Sequence, residues 1–184
     1  MSEDALRLGA ETSVRSATAG DTAAIGAIQA RAWHADYPDL LRGATLARAG
    51  AEDFAAAWRA ALASAGPGQV LLVACAGVMV VGFAAVTPSA DADAGPQDGE
   101  LRALEVDPAH RRAGHGSRLL AAASDSLRQN GFRSMRCWVA AADEPRRGFL
   151  ASAGMGPDGA RRRLGGGDDA TLTMARLSAG LAEE

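Results

Sequence analysis

Lysine is absent from this chain: all 19 basic residues are arginine. That alone excludes a Walker-type phosphate loop, which needs a lysine followed by Ser or Thr after its second glycine. Aromatic residues make up only 4% of the 184 residues, so the core must come from aliphatic strands and helix faces. Cysteine is limited to Cys75 and Cys137. Both lie in apolar, strand-like runs without a C-x-x-C partner, which reads as buried free thiols. No stretch approaches the roughly 18 consecutive apolar residues of a membrane span. The start Met1-Ser2-Glu3-Asp4 lacks the basic end and apolar centre of a signal peptide. A soluble, cytoplasmic protein with no membrane partner is therefore expected. Charge is also nearly balanced, at 19 basic against 22 acidic residues, or −3, so no nucleic-acid partner is expected. Arg161-Arg162-Arg163 is the one basic run and reads as a solvated strand end or turn. No His/Cys/Asp/Glu grouping has metal-ligand spacing, so no metal is expected.

What is present reads as an α/β chain with a mixed sheet. Residues 13–178 form one domain, between tails at 1–12 and 179–184. A strand over 13–17 is followed by a helix from Asp21, with Ile25, Ile28, Ala32 and Ala35 on one face, ending by Pro38. A second helix covers about 46–63. Strands over 69–76 and 78–87 pair as a hairpin around Ala76-Gly77. The low-complexity run 89–98 reads as a mobile loop. A strand over 100–107 leads through a glycine turn into a helix ending near Asn130, where Gly131 stops it. A strand over 134–139, a short helix over 145–153, and strands near 155–164 and 170–177 complete the order β-α-α-β-β-β-α-β-α-β-β. Gly165-Gly166-Gly167-Asp168-Asp169 is the last turn.

The glycine turn carries the chemistry. Leu104-Glu105-Val106-Asp107-Pro108-Ala109-His110-Arg111-Arg112-Ala113-Gly114-His115-Gly116-Ser117 reads as strand, proline, basic turn and helix start. Unpaired N–H groups and the macrodipole at a helix N-terminus favour an anion, and the two glycines let it approach. The dinucleotide fingerprint fits poorly, because position 119 is Leu and the motif lies past mid-chain. Arg111-x-x-Gly114-x-Gly116, preceded by Leu104-x-Val106-x-Pro108, instead resembles the acetyl-coenzyme A signature of the GCN5-related N-acetyltransferases (GNAT). The predicted element order is the order of that fold, in which two central parallel strands splay apart.

The resemblance implies acetyl-CoA as co-substrate and a primary amine of a small molecule as acceptor. It assigns the main chain of Leu104, Glu105 and Val106 to the pantetheine arm. The diphosphate falls to Arg111, Arg112, Ala113, Gly114, His115, Gly116 and Ser117. An alkylammonium of pKa about 10 must lose a proton before attack. Glu100, eleven residues before Arg111, is the candidate base. Strand alternation puts it on one face with Leu104 and Val106, and Glu105 on the other. The competing reading of Glu100 is a polar strand end. Where many members of the family carry a tyrosine acid after an aromatic residue, this chain has Phe149-Leu150, and Ser152 should point elsewhere. Arg146 and Arg147 read as solvated helix arginines. Trp33, His34 and Tyr37 end the first helix where the family's acceptor groove lies, with His34 a reserve base. A non-catalytic acyl-CoA-binding module and a protein N-terminal acetyltransferase are the alternatives. Edge strands in the last hairpin leave room for a homodimer.

Overall fold

A computed structural model describes residues 12–38, 50–164 and 171–181. Eleven helices and strands follow one another as expected. They are β1 (Thr12–Ser16), α1 (Thr22–Asp36), α2 (Ala51–Ala63), β2 (Val70–Ala76), β3 (Met79–Pro88), β4 (Asp98–Val106), α3 (His115–Gln129), β5 (Ser134–Ala140), α4 (Glu144–Ser152), β6 (Gly156–Leu164) and β7 (Leu172–Gly180). The strands form a seven-stranded sheet ordered β1-β2-β3-β4-β5-β7-β6. Only β4 and β5 run parallel, joined by α3 as crossover.

Helix α1 starts where the Asp21 carboxylate accepts from the Thr18 N–H at 2.7 Å and the Thr18 hydroxyl at 2.8 Å. Arg15 of β1 grips the same carboxylate with two bonds of 2.8 Å, which ties strand to helix. Gly26 lets α2 approach, since a Cβ there would lie 2.3 Å from the Ala51 carbonyl oxygen. Ile25 and Ile28 of α1 pack with Val73 and Phe83 on one side of the sheet, and the Trp58 ring meets Phe83 edge-on at 5.3 Å. On the other side, Leu119, Leu120, Ala123 and Leu127 of α3 cover Leu101, Met135, Cys137 and Val139. The helical spacing thus becomes a buried stripe, each large side chain stabilising the fold by about 1.5–3 kcal/mol. Both cysteines are buried and free, and burial pushes the Cys137 thiol up to about 12.

Three readings change and one, the solvated arginine run at a strand end, stands. The run 89–98 is held rather than loose: Asp91 accepts from the Trp138 indole at 3.1 Å and from Arg176 at 2.9 Å. Asp93 accepts from Arg176 at 2.6 Å and from Arg136 at 3.0 Å, so acidic residues that look like loop filler are partners of strand arginines. Strand β7 continues through Gly180, which pairs with Ser134, and the Leu181 N–H donates to the Arg133 carbonyl at 2.8 Å. Ordered chain therefore reaches into the segment expected as a tail. The arginine run lies along the edge strand β6, where charge discourages strand addition. Helix α2 begins at Ala51; residues 46–49 of the expected helix, the first eleven residues and the turn 165–169 lie outside the described residues.

Candidate functional site

Strand β4 pairs with β5 only at Asp98–Ser134, Gly99–Met135 and Glu100–Arg136. Beyond Glu100 the two strands part, while β4 stays paired to β3 as far as Val106. The β5-facing edge of Leu104, Glu105 and Val106 is therefore left open in the middle of the sheet. Arginines cap part of it: Arg146 donates to the Leu104 carbonyl at 3.4 Å and Arg111 to the Val106 carbonyl at 3.3 Å.

A bulge in β4 decides which side chains share a face. Ala85 opposes Ala103 and Val86 opposes Leu101, so Arg102 has no partner residue on β3. The extra residue shifts the alternation by one. Leu101, Leu104 and Val106 all turn to the α3 side, and Ala103 to the α1 side. Glu105 opposes Phe83, also on the α1 side. Glu100, adjacent to Leu101, shares that face. Strict alternation had placed Glu100 with Leu104 and Val106; the bulge instead aligns it with Glu105.

The turn after β4 leads into the N-terminus of α3. Asp107 caps the turn, accepting from the Ala109 N–H at 3.1 Å and pairing with Arg31 at 2.6 Å. Arg112 (φ 65°) and Gly114 (φ 79°) are left-handed, which turns the chain into α3. The backbone N–H groups of Gly114, His115, Gly116 and Ser117 form the first turn of α3, where the helix itself supplies no acceptors. A Cβ on Gly116 would meet the Phe149 ring in ordinary contact at 3.5 Å. Free N–H groups, small residues and a helix N-terminus fit a diphosphate. Side chains contribute less than expected. Arg111 forms a two-bond pair with Asp36 at 2.8 Å, and the His115 ring is buried, where desolvation lowers its pKa. Arg112, Ala113 and Ser117 are exposed along the turn.

The parted strands open into a cavity of about 340 Å³. Its walls include Trp33, Tyr37 and Trp58 from the helices and Glu100 to Glu105 from β4. Trp138, Arg146, Leu150 and Arg162 complete it. Glu100 is 4% exposed, and burial raises its pKa above the ordinary value. Glu105 and Arg146 form a two-bond pair at 3.0 and 2.7 Å. Arg146 is thus an internal partner, because α4 turns its second residue pair back over β4. Asp143 starts α4 by accepting from the Arg146 N–H at 3.0 Å, and also accepts from the Tyr37 hydroxyl at 2.9 Å. Burial raises the Tyr37 phenol above its usual value.

Trp33 and Tyr37 line the cavity; His34 does not, being exposed one residue round the helix. Leu150 is buried, and the Ser152 hydroxyl donates to its own helix at the Phe149 carbonyl, 2.7 Å away. Sequence reasoning missed Trp58, Trp138, Arg102 and Arg162 as site residues. The available signal was scarcity: Trp58 and Trp138 are two of three tryptophans in an aromatic-poor chain. Among the described residues no three His, Cys, Asp or Glu side chains cluster as metal ligands, and no helix is long and apolar enough to cross a membrane.

Comparison with known proteins agrees with this fold. A family model described as the acetyltransferase (GNAT) family matches residues 27–155. No curated protein matches. The fold is similar to a putative acetyltransferase, yncA, of Salmonella typhimurium solved with acetyl-CoA (TM-score 0.70, 22% identity, 94% of this chain and 95% of that one). It is also similar to the ribosomal-protein-alanine N-acetyltransferase of Brucella melitensis (0.72, 20%, 91% and 99%). A third likeness is the paia N-acetyltransferase of Thermoplasma acidophilum with coenzyme A (0.67, 14%, 90% and 98%).

Proposed function

The chain belongs to the acetyltransferase (GNAT) family, and from that premise we propose an acetyl-CoA-dependent N-acetyltransferase that acts on the primary amine of a small molecule. The observation that carries this reading is the buried Glu100 carboxylate on the wall of a cavity where β4 and β5 part. Acetyl-CoA would supply an activated thioester acyl group. The N–H groups of 111–117 hold its diphosphate, and the open edge of Leu104 to Val106 aligns its arm. Donors fixed on a strand edge also favour charge developing on a carbonyl oxygen.

Glu100 removes a proton from the incoming ammonium. Its raised pKa moves it toward the range in which a carboxylate is an effective base. No hydroxyl stands at Leu150. Tyr37 is a poor substitute as acid, because a phenol raised above its usual value gives up its proton reluctantly to a thiolate of pKa about 8.5. The thiolate leaves unassisted or takes a proton from water. Tyr37, Trp33 and Trp58 serve as wall.

Leu150 favours one second reading, a module that holds acyl-CoA without transferring the acyl group. Thermal stabilisation by acetyl-CoA combined with free-CoA detection over an amine panel separates the two. Stabilisation with CoA release supports transfer. Stabilisation without release from any amine supports the binding module. No stabilisation at millimolar acetyl-CoA defeats both.

A further inference from the structure

The arginines around the cavity divide into two kinds. Arg146 is matched by Glu105, Arg111 by Asp36, and Arg176 by Asp91, Asp93 and Asp158. Arg102 and Arg162 are different. Arg102 comes no nearer to a carboxylate than 4.0 Å, from its Nε to Glu100, beyond hydrogen-bond range. Arg162 has no carboxylate or carbonyl partner among the described residues. It is positioned by stacking, with its guanidinium 4.2 Å from the centre of the Trp138 ring. That ring is itself fixed, because its indole N–H donates to Asp91. Stacking holds the plane of a guanidinium and leaves its donor edge free for a planar oxyanion.

Both arginines line the cavity with Glu100 and lie close enough to act electrostatically on its carboxylate. The bulge explains Arg102: as the residue without a β3 partner, it joins Glu100 on the cavity wall. Buried acid and unengaged cations therefore share one chamber, with Glu100 and Arg102 only 4.0 Å apart at their nearest atoms. Both arginines are exposed, so a plain alkylamine would use the acid alone and leave the two guanidinium groups to water. A short zwitterion would use both.

Resting on the acetyl-transfer reading, we infer that the acceptor is a free amino acid: its ammonium is held at Glu100 and its carboxylate by Arg102 and Arg162. The carboxylate gains charge-assisted, two-pronged bonds from an arginine already fixed in place. Glu100 then meets the amine at a set distance from that anchor. A peptide N-terminus lacks a carboxylate at this distance and forgoes the anchor.

The test compares matched acceptors: glycine, L-leucine, L-phenylalanine and β-alanine, each against its carboxamide, by rate of CoA release. Calorimetric titration of the CoA-loaded protein with the same pairs gives an independent binding readout. The carboxylate member of the best pair is expected to show at least tenfold higher kcat/KM and tighter binding. The preference should appear although the α-amide's amine is the less basic and more readily neutral. R162Q and R102Q should each cut the ratio of kcat/KM for the carboxylate over its carboxamide about tenfold or more, and R162K should restore part of the preference. Equal or better use of carboxamides overturns the inference while leaving acetyl transfer intact. So do variants that slow both members alike. Absence of CoA release from every acceptor overturns the acetyl-transfer reading and this inference with it.

Discussion

The turn at 107–117 follows β4 and the chamber beside Glu100 lies along it, and both handle charge, by opposite means. The turn offers backbone: N–H groups to which the helix supplies no acceptors, a left-handed Gly114 and a helix N-terminus. The chamber offers side chains: Glu100, Arg102, Glu105, Arg146 and Arg162, gathered from three elements. A backbone site depends on conformation and small residues, so it can be written in one continuous segment. A side-chain site depends on register, and a single bulge reassigns its members. In the proposed reaction, the same division separates holding the co-substrate from choosing and deprotonating the acceptor.

The sharpest way to break this division is Glu100→Gln. Loss of a positioned base should lower kcat/KM by about 10²–10⁴-fold. Affinity for acetyl-CoA should stay unchanged, because Glu100 faces the chamber rather than the turn. The pH profile carries a second signature. The Glu100 pKa is raised, so the acidic limb of kcat/KM should lie above the ordinary glutamate range and vanish in the variant. Stability moves the other way. A carboxyl raised by folding costs stability as pH rises through its folded pKa, so the glutamine variant should be at least as stable at neutral pH.

Next in size is Arg146→Met, read by denaturant unfolding. It leaves the buried Glu105 carboxylate without its two-bond partner. A fully buried orphan would cost about 3–5 kcal/mol; the chamber admits water, so a loss of about 2–3 kcal/mol is expected. Gly114→Val probes the turn. Forcing a β-branched residue to φ 79° should cost about 1–3 kcal/mol and weaken acetyl-CoA binding at least tenfold. The amine preference measured at saturating co-substrate should not change.

The smallest effect belongs to Asp21→Asn, far from either site. It removes the double Arg15 bond and weakens the bonds from Thr18, so about 1 kcal/mol is expected at neutral pH. Arg15 holds the Asp21 carboxyl well below the usual range. Its contribution is therefore complete above about pH 4 and is lost as pH falls toward the lowered value. Wild type and variant should converge in acid, with catalysis unaffected throughout.

Legibility in the sequence followed the same division. Order and type of every described helix and strand could be read from periodicity, caps and glycine stops. Arg111-x-x-Gly114-x-Gly116 announced the turn, because backbone requirements leave glycines behind. Glu100 is proposed as the base on an offset from Arg111 that resembles the family's. Its face was misjudged, since alternation cannot reveal that Arg102 bulges. Arg146 looked solvated because its partner, Glu105, is 41 residues away. Arg162 looked like part of a surface run until β6 and β5 brought it over Trp138. The run 89–98 looked loose for the same reason: its aspartates find Arg176 only in the folded sheet. Contacts across the sheet leave no local trace in composition.

Calorimetric titration with acetyl-CoA of the wild type, Glu100→Gln and Gly114→Val tests the separation most directly. Equal affinity for wild type and Glu100→Gln, with at least tenfold weaker binding to Gly114→Val, is the predicted result. Loss of affinity in Glu100→Gln, or full affinity in Gly114→Val, would contradict the assignment of the two charges to two independent sites.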